Sequence, residues 1–357
     1  MNLKTAVGGV VGANEFAPTT PPLERAEVAE GRRMRTIAIT GASGFIGKRL
    51  VMELARTGDY EVRVLSRNRQ RDLMERKFPS TVRIIEGDLH DSASIEKLVK
   101  PGCTVINLAY LRNFGESENL AVTDKLLAAC RDAAVGRLIH CSTAEVAGRV
   151  RENRVTEETP CNPVTEYGIT KLKIEQAVAK AAAQKHFDTA IVRPTAVFGA
   201  EGEQLQKLAS DLRTGNPWLN YAKSCLFGKR RMHLVNIGNV VAAIIFLIRY
   251  PNPIGGEVFI VSDDDDPKNN FAYIERLLLD ALDIDDYPLP RLALPLWMLS
   301  ALLALRGRNN TNPLCNYDPG KLLRLGFERP ASLADGLAEY TVWYRSACIT
   351  QGRAASL

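Results

Sequence analysis

Between residues 36 and 195 the chain returns again and again to one pattern, a short apolar run followed by a helical segment. The runs are TIAIT (36–40), EVRVL (61–65), VRIIEGD (82–88), TVINLA (104–109), RLIHCST (137–143) and TAIVRPT (189–195). A strand that is apolar at nearly every position is buried on both faces. Strands separated by helices are joined by crossovers that make them parallel. The pattern predicts an α/β fold, a doubly wound Rossmann-type parallel sheet of at least six strands. After residue 200 the rhythm breaks. Loops such as RTGNPWLNYAKS and SDDDDPKNN interrupt it, and helices dominate the end. The division read from this is a flexible N-terminal extension over 1–33 and a nucleotide-binding domain over 34–200. A smaller, mostly helical substrate lobe follows over 201–345, with some segments returning to the first domain, and then a tail over 346–357. The lobe is expected over the carboxyl ends of the strands, where ligands of such sheets bind.

A chain of 357 residues with 46% hydrophobic and 24% charged residues has globular composition. Its formal charge of +5 is thinly spread, which suits an anionic small molecule and argues against nucleic acid. Seven cysteines are scattered with no C-x-x-C spacing, which implies reduced thiols and a cytoplasmic location. None of the four histidines lies in a zinc motif, so no metal site is expected. The most apolar run, LALPLWMLSALLAL (292–305), has 14 residues and contains Pro295. It is too short to span a bilayer. The expectation is a buried helix of the second lobe, with contact to a membrane surface or lipid substrate as the alternative.

TGASGFIG (40–47) places Gly41, Gly44 and Gly47 between the first strand and a helix. The first glycine allows a tight turn, the second admits a pyrophosphate to backbone N–H groups, and the third lets the helix pack close to the sheet. Ser43, Phe45 and Ile46 complete the loop and first turn. At the end of the second strand an NAD site carries an acid for the ribose 2′-OH. Here LSRNRQR puts Arg67 in that place, and a guanidinium suits a 2′-phosphate. The cofactor reading is NADP, with NAD as the alternative. Asp88, after the third strand, is placed to accept from the adenine amine.

TEYGITKLKIE (165–175) holds Tyr167 and Lys171 four apart, on one face of a helix. With the first loop, the residues resemble the extended short-chain dehydrogenase/reductase superfamily. The branch is that of NAD(P)-dependent sugar-nucleotide epimerases, dehydratases and reductases. The motifs that carry the resemblance are TGASGFIG, GDL (87–89), NLA (107–109), CSTAEVAG (141–148), YGITK (167–171) and RPTAVFG (193–199). It implies a catalytic set of Thr143, Tyr167 and Lys171. It also implies cofactor contacts at Leu89, Leu108, Ala109, Tyr110, Cys141, Pro194, Thr195 and Val197, with Tyr167 and Lys171 shared, and a homodimer. In this chemistry a hydride joins or leaves a carbon bearing oxygen while a proton moves on that oxygen. A phenol of pKa near 10 is a poor base at neutral pH. The Lys171 ammonium is expected to lower it.

Departures from the family pattern narrow the reaction. The dehydratases of the family resemble each other in a threonine-aspartate-glutamate run. This chain has Thr143, Ala144 and Glu145, so the acid for 4,6-dehydration is missing and Glu145 remains as a candidate acid or base. Ala147 stands where a tyrosine is usual, and Gly238 and Asn239 stand where two aspartates are usual. In CLFGKRRMH, Lys229, Arg230 and Arg231 are candidates to hold a diphosphate, while His233 is equally readable as structural. The leading reading is an NAD(P)-dependent oxidoreductase or epimerase of a nucleotide-diphosphate sugar. The rivals are a reductase of a steroid- or lipid-like ketone or aldehyde, and a nucleotide-binding protein without chemistry.

Overall fold

The computed structural model describes residues 34–354 apart from 75–76, 151, 293 and 307–311. The extension expected over 1–33 and the last residues of the tail lie outside the described residues. The strands are β1 (Arg35–Thr40), β2 (Tyr60–Ser66), β3 (Arg83–Glu86), β4 (Thr104–Asn107), β5 (Arg137–Cys141), β6 (Arg154–Val155), β7 (Asp188–Pro194), β8 (Ala196–Phe198), β9 (Leu234–Asn236), β10 (Glu257–Val261) and β11 (Asn316–Tyr317). The helices are α1 (Phe45–Thr57), α2 (Arg69–Met74), α3 (Ser92–Leu98), α4 (Glu116–Asp132), α5 (Glu166–Ala183), α6 (Glu203–Thr214), α7 (Pro217–Phe227), α8 (Ile237–Arg249), α9 (Phe271–Leu282), α10 (Leu296–Leu305), α11 (Gly320–Arg324) and α12 (Leu333–Ala354).

Seven strands form one parallel sheet in the order β10-β7-β5-β4-β1-β2-β3. The chain runs outward from β1 in one direction through β2 and β3, and in the other through β4, β5, β7 and β10. The order therefore reverses between β1 and β4, and a cleft opens there at the carboxyl ends. The alternation along β1 explains why both faces must be covered. Ile37 and Ile39 join a core with Leu50 and Leu54 of α1 and Val240 and Ile244 of α8, whereas Ala38 joins Ile95, Leu126 and Ile174 of α3, α4 and α5 on the opposite face. A third core, around Phe198, Leu205, Ile274, Leu278 and Tyr340, unites α6, α9 and α12.

The seventh strand, β10, was not among the six runs read as strands. Its EVFIV run sits between loops after residue 250, yet it pairs with β7 in parallel register from Glu257–Ala190 to Val261–Pro194. With α8 packed against α1, it brings chain beyond residue 200 back to the first sheet.

The apolar run near residue 300 corrects an expectation. It forms α10, but among its described residues only Leu299 and Leu303, one turn apart, are buried. Trp297 is 71% exposed and Leu305 87%. The helix is apolar all round, and its neighbours cover one narrow stripe of it. No helix among the described residues is long and apolar enough to cross a membrane.

Candidate active site

The glycine loop lies at the reversal point. Gly41 has a φ of +72°, and a Cβ on it would meet the backbone of Leu108 and Ala109 at 2.7 Å. A Cβ on Gly47 would stand 2.3 Å from the Gly41 carbonyl oxygen. Only glycine lets β1, β4 and α1 approach this closely. Gly44 is the N-cap of α1 and offers no side chain to cap it, so the positive end of the helix dipole faces the cleft. Ser43 and Gly44 are exposed there, and Phe45 and Ile46 are half-buried beside them. Such a cradle fits the pyrophosphate of a dinucleotide.

A buried polar ladder holds the strand ends beneath it. The Thr40 hydroxyl donates to Asn107 Oδ1 at 2.8 Å, and the Ala109 N–H donates to the same oxygen at 3.3 Å. The Asn107 amide nitrogen lies 3.2 Å from His140 Nδ1. Burial, and then the Lys171 charge, holds the His140 imidazole well below its ordinary value. It is neutral, and Nδ1 can accept from Asn107.

Arg67 is exposed just past β2. Asp88 is not held out alone as an adenine acceptor. Its Oδ1 accepts from the His90 backbone N–H at 2.8 Å and lies against His90 Nδ1, while His90 Nε2 is 2.9 Å from Glu118 Oε1. Partial burial opposes ionisation of Asp88, but the two hydrogen bonds from His90 and the nearby Arg67 hold it below its ordinary value. Leu89, Ala109 and Tyr110 line one small cleft with Asn119. Leu108 donates its N–H to Thr40 at 3.2 Å, which fixes that turn.

Tyr167 and Lys171 are carried by the first turns of α5. Thr165 starts this helix, its hydroxyl accepting from the Gly168 N–H at 3.1 Å. The Thr143 hydroxyl lies near enough to the Tyr167 phenol to favour its ionised form. The Tyr167 ring stands edge-on to Tyr110 at 4.9 Å. Lys171 does not reach the phenol in the way its spacing suggested. Its Nζ donates to the Cys141 carbonyl at 2.9 Å and lies 5.4 Å from the Tyr110 ring. Burial, then Cys141 and Glu145, raise the Tyr167 phenol above its ordinary value, and only the nearby Thr143 hydroxyl pulls it down. Burial lowers Lys171. A buried amine takes the nearest strong acceptor, and at the end of β5 that is a carbonyl oxygen.

Glu145 lies in a 3₁₀ turn (Ala144–Ala147) after β5, and its Oε1 accepts from the Thr165 hydroxyl at 2.8 Å. The turn is thereby tied to the start of α5. Two residues that the sequence reading passed over secure the other side of α5. Arg193 in β7 and Glu175 form a buried bidentate pair, with Nε–Oε1 at 3.0 Å and Nη2–Oε2 at 2.6 Å. The available signal was a charged residue inside an otherwise buried run, four positions after Lys171 in one case and at the head of RPTAVFG in the other. Pro194 closes β7. Thr195 donates its N–H to Val261 at 3.1 Å, and Val197 follows half-buried in β8.

Of the candidates for holding a diphosphate, Arg231 is engaged with backbone carbonyls of a neighbouring loop. The Arg231 guanidinium donates to the Asp266 carbonyl at 2.9 Å, and its backbone N–H donates to Pro313. It closes a loop of carbonyl oxygens. Arg230 lies against the Phe227 ring at 5.8 Å, and Lys229 is exposed. Asn239 is fully buried, bonding Asp263 and both backbone groups of Ala331, so it ties α8 to the chain end. Among the described residues no cluster of histidine, cysteine or acid could hold a metal.

His233 stands at a φ of +53°, with Nδ1 2.6 Å from Asp264 Oδ2 and Nε2 3.8 Å from Cys315 Sγ. Burial alone would lower this imidazole, but Asp264 and Cys315 outweigh it and raise it from 6.5 to about 9. A raised value stabilises the fold fully below pH 6.5, and the gain is lost as pH climbs through 9. The gain is at most roughly 3 kcal/mol. Melting temperature should therefore fall across this window in wild type. His233→Asn, which tolerates the left-handed backbone, should melt lower at about pH 6 and show a flatter profile.

The point where a doubly wound sheet reverses is where dinucleotide-binding enzymes hold their cofactor, and the fold assigns the chain to that class. Comparison with known sequences is more specific. The chain belongs to the NAD dependent epimerase/dehydratase family, whose sequence model matches residues 37–262. It is similar to the UDP-glucose 4-epimerase of Vibrio cholerae, at 26% identity over 83% of this chain and 94% of the relative. It is also similar to the decarboxylating sterol-4-alpha-carboxylate 3-dehydrogenase of Mus musculus, at 27% identity over 76% of each chain. In structure it resembles the UDP-glucose 4-epimerase of Thermus thermophilus, a complex with NAD, with a TM-score of 0.66 at 20% identity over 88% of this chain and all of the other. That likeness bears on the fold.

Proposed function

We propose that this protein is an NAD(P)-dependent oxidoreductase or epimerase acting at an alcohol or carbonyl carbon, with Tyr167 as the proton-transferring group. The Tyr167 phenol beside Thr143, whose hydroxyl lowers it against its burial, carries the reading. Two hydroxyls meeting at one point can hold a substrate oxygen while a proton passes to or from it. Lys171, bonded to the Cys141 carbonyl, lies at the end of β5, and Glu145 offers a carboxylate near the start of α5. The loop of Gly41, Gly44 and Gly47 would hold a pyrophosphate, Arg67 a 2′-phosphate, and the residues from Cys141 to Lys171 with Pro194, Thr195 and Val197 the nicotinamide end. When bound, that group supplies or accepts the hydride.

A nucleotide-diphosphate sugar is the first substrate reading, supported by the Vibrio cholerae relative spanned over nearly its whole length. A steroid- or lipid-like carbonyl is the second. It is favoured by the engagement of the Arg231 guanidinium with the Asp266 carbonyl and by the sterol dehydrogenase relative. Mass spectrometry of the copurifying cofactor and assays with UDP-glucose and with a 3-keto sterol separate the two. Turnover of neither class by cofactor-loaded protein would remove the enzymatic reading.

Arg67 favours NADP(H) over NAD(H), since a guanidinium meets a 2′-phosphate with a charge-assisted bond. Arg67→Asp should reverse the preference, with loss of about 1.5–3 kcal/mol for NADP(H). Titration calorimetry reads this directly, and tighter NAD(H) binding by wild type would refute it.

A further inference from the structure

The turns after β3 and β4 meet at one imidazole. Asp88 and His90 follow β3, and Glu118 stands in the first turn of α4, beyond the loop that follows β4. His90 Nδ1 lies 2.5 Å from Asp88 Oδ1, and Nε2 lies 2.9 Å from Glu118 Oε1. The Phe114 ring stands 5.4 Å from the same imidazole. Asn119, next to Glu118, gathers the second loop, its amide donating to the carbonyls of Leu111, Phe114 and Gly115. It also lines the small cleft with Leu89, Ala109 and Tyr110. The His90 bridge therefore joins the turn that carries Asp88 to one wall of that cleft.

Donor and acceptor chemistry fixes what the bridge needs. An ionised carboxylate only accepts, and a neutral imidazole donates from one nitrogen and accepts at the other. His90 can hold both acids only with a proton on each nitrogen. Once it is neutral, one ring nitrogen and one carboxylate turn lone pairs on each other, and that contact breaks. Asp88, although partly buried, is held below its ordinary value by the hydrogen bonds from His90 and by Arg67, so it stays an acceptor. The other charged groups nearby are engaged elsewhere. Lys125 Nζ donates to the His90 carbonyl at 2.6 Å, Asp91 accepts from the Ala93 and Ser94 N–H groups, and Glu116 pairs with Lys173. Both hydrogen bonds to Asp88 fall on Oδ1. Its Oδ2 has no hydrogen-bond partner among the described residues and remains available to a ligand.

We propose that His90, charged and shared between Asp88 and Glu118, is the positioning residue that aims Asp88 Oδ2 at the adenine amine of the cofactor. The proposal rests on the dinucleotide reading above and adds to it a proton on which cofactor binding depends. Full-length protein is titrated with NADP⁺ by calorimetry at about pH 6 and about pH 8.5, on either side of the range where imidazoles change charge. The 2′-phosphate of NADP⁺ ionises in the same range, so each variant is read against wild type at both pH values. In Glu118→Gln the amide N–H can donate to a neutral Nε2 while Nδ1–H keeps Asp88, so the bridge survives loss of the proton. Wild-type affinity should therefore fall by about threefold or more between the two pH values relative to Glu118→Gln. His90→Gln can donate to only one of the acids. It should bind about threefold or more weakly than wild type at the lower pH and match it at the higher. The bridge is half-exposed, so both variants should keep the wild-type melting temperature. If wild type and both variants bind NADP⁺ with one shared pH dependence, the proposal fails and the dinucleotide reading stands. No binding of NADP⁺ by wild type at either pH would overturn both.

Discussion

Tyr167→Phe should lower kcat by roughly 10²–10⁴ and leave the fold intact. The ring keeps its edge-on packing against Tyr110, so the variant loses only the hydroxyl that stands near Thr143. Lys171→Met should act by another route. Lys171 bonds the Cys141 carbonyl, so its loss leaves that buried oxygen without a donor. Its residual activity should rise with pH toward the alkaline range, because burial already holds the phenol above its ordinary value near 10. The double variant should be little worse than Tyr167→Phe alone, since groups that act together are non-additive. A pH–rate profile at saturating cofactor checks all three variants. A Tyr167→Phe protein with most of the wild-type rate would dismiss Tyr167 as the acid or base.

Arg193→Met should cost about 3–5 kcal/mol of stability, because Glu175 would remain buried without its bidentate partner. Melting should fall by roughly 5–15 °C. Arg193→Met/Glu175→Leu should recover much of the loss, since an apolar pair fills the space without a stranded charge. This pair clamps α5 to β7, and α5 carries Tyr167 and Lys171. The single variant should therefore lose activity at temperatures where it is still folded, and the double variant should regain part of it. Equal melting of wild type and Arg193→Met would show that the pair contributes nothing net.

The parallel sheet and the glycine cradle were legible in the sequence because their causes are local. An apolar run of strand length, a following helix and a glycine that must adopt a positive φ are each properties of neighbouring residues, and β1, Gly41 and α1 follow from them. The spacing of Tyr167 and Lys171 on one helix was legible for the same reason. What each polar side chain bonds to was not. Lys171 turned to the Cys141 carbonyl and Arg231 to the Asp266 carbonyl, because a buried donor takes the acceptor that chain distant in sequence brings near. EVFIV became β10 only because the edge of β7 was open to it, and Arg193 found Glu175 across the layer between sheet and helix. The run 292–305 reads in sequence as a buried helix. Only the packing decided that Leu299 and Leu303 would face inward and Trp297 outward, since burial depends on which other elements arrive to cover a surface.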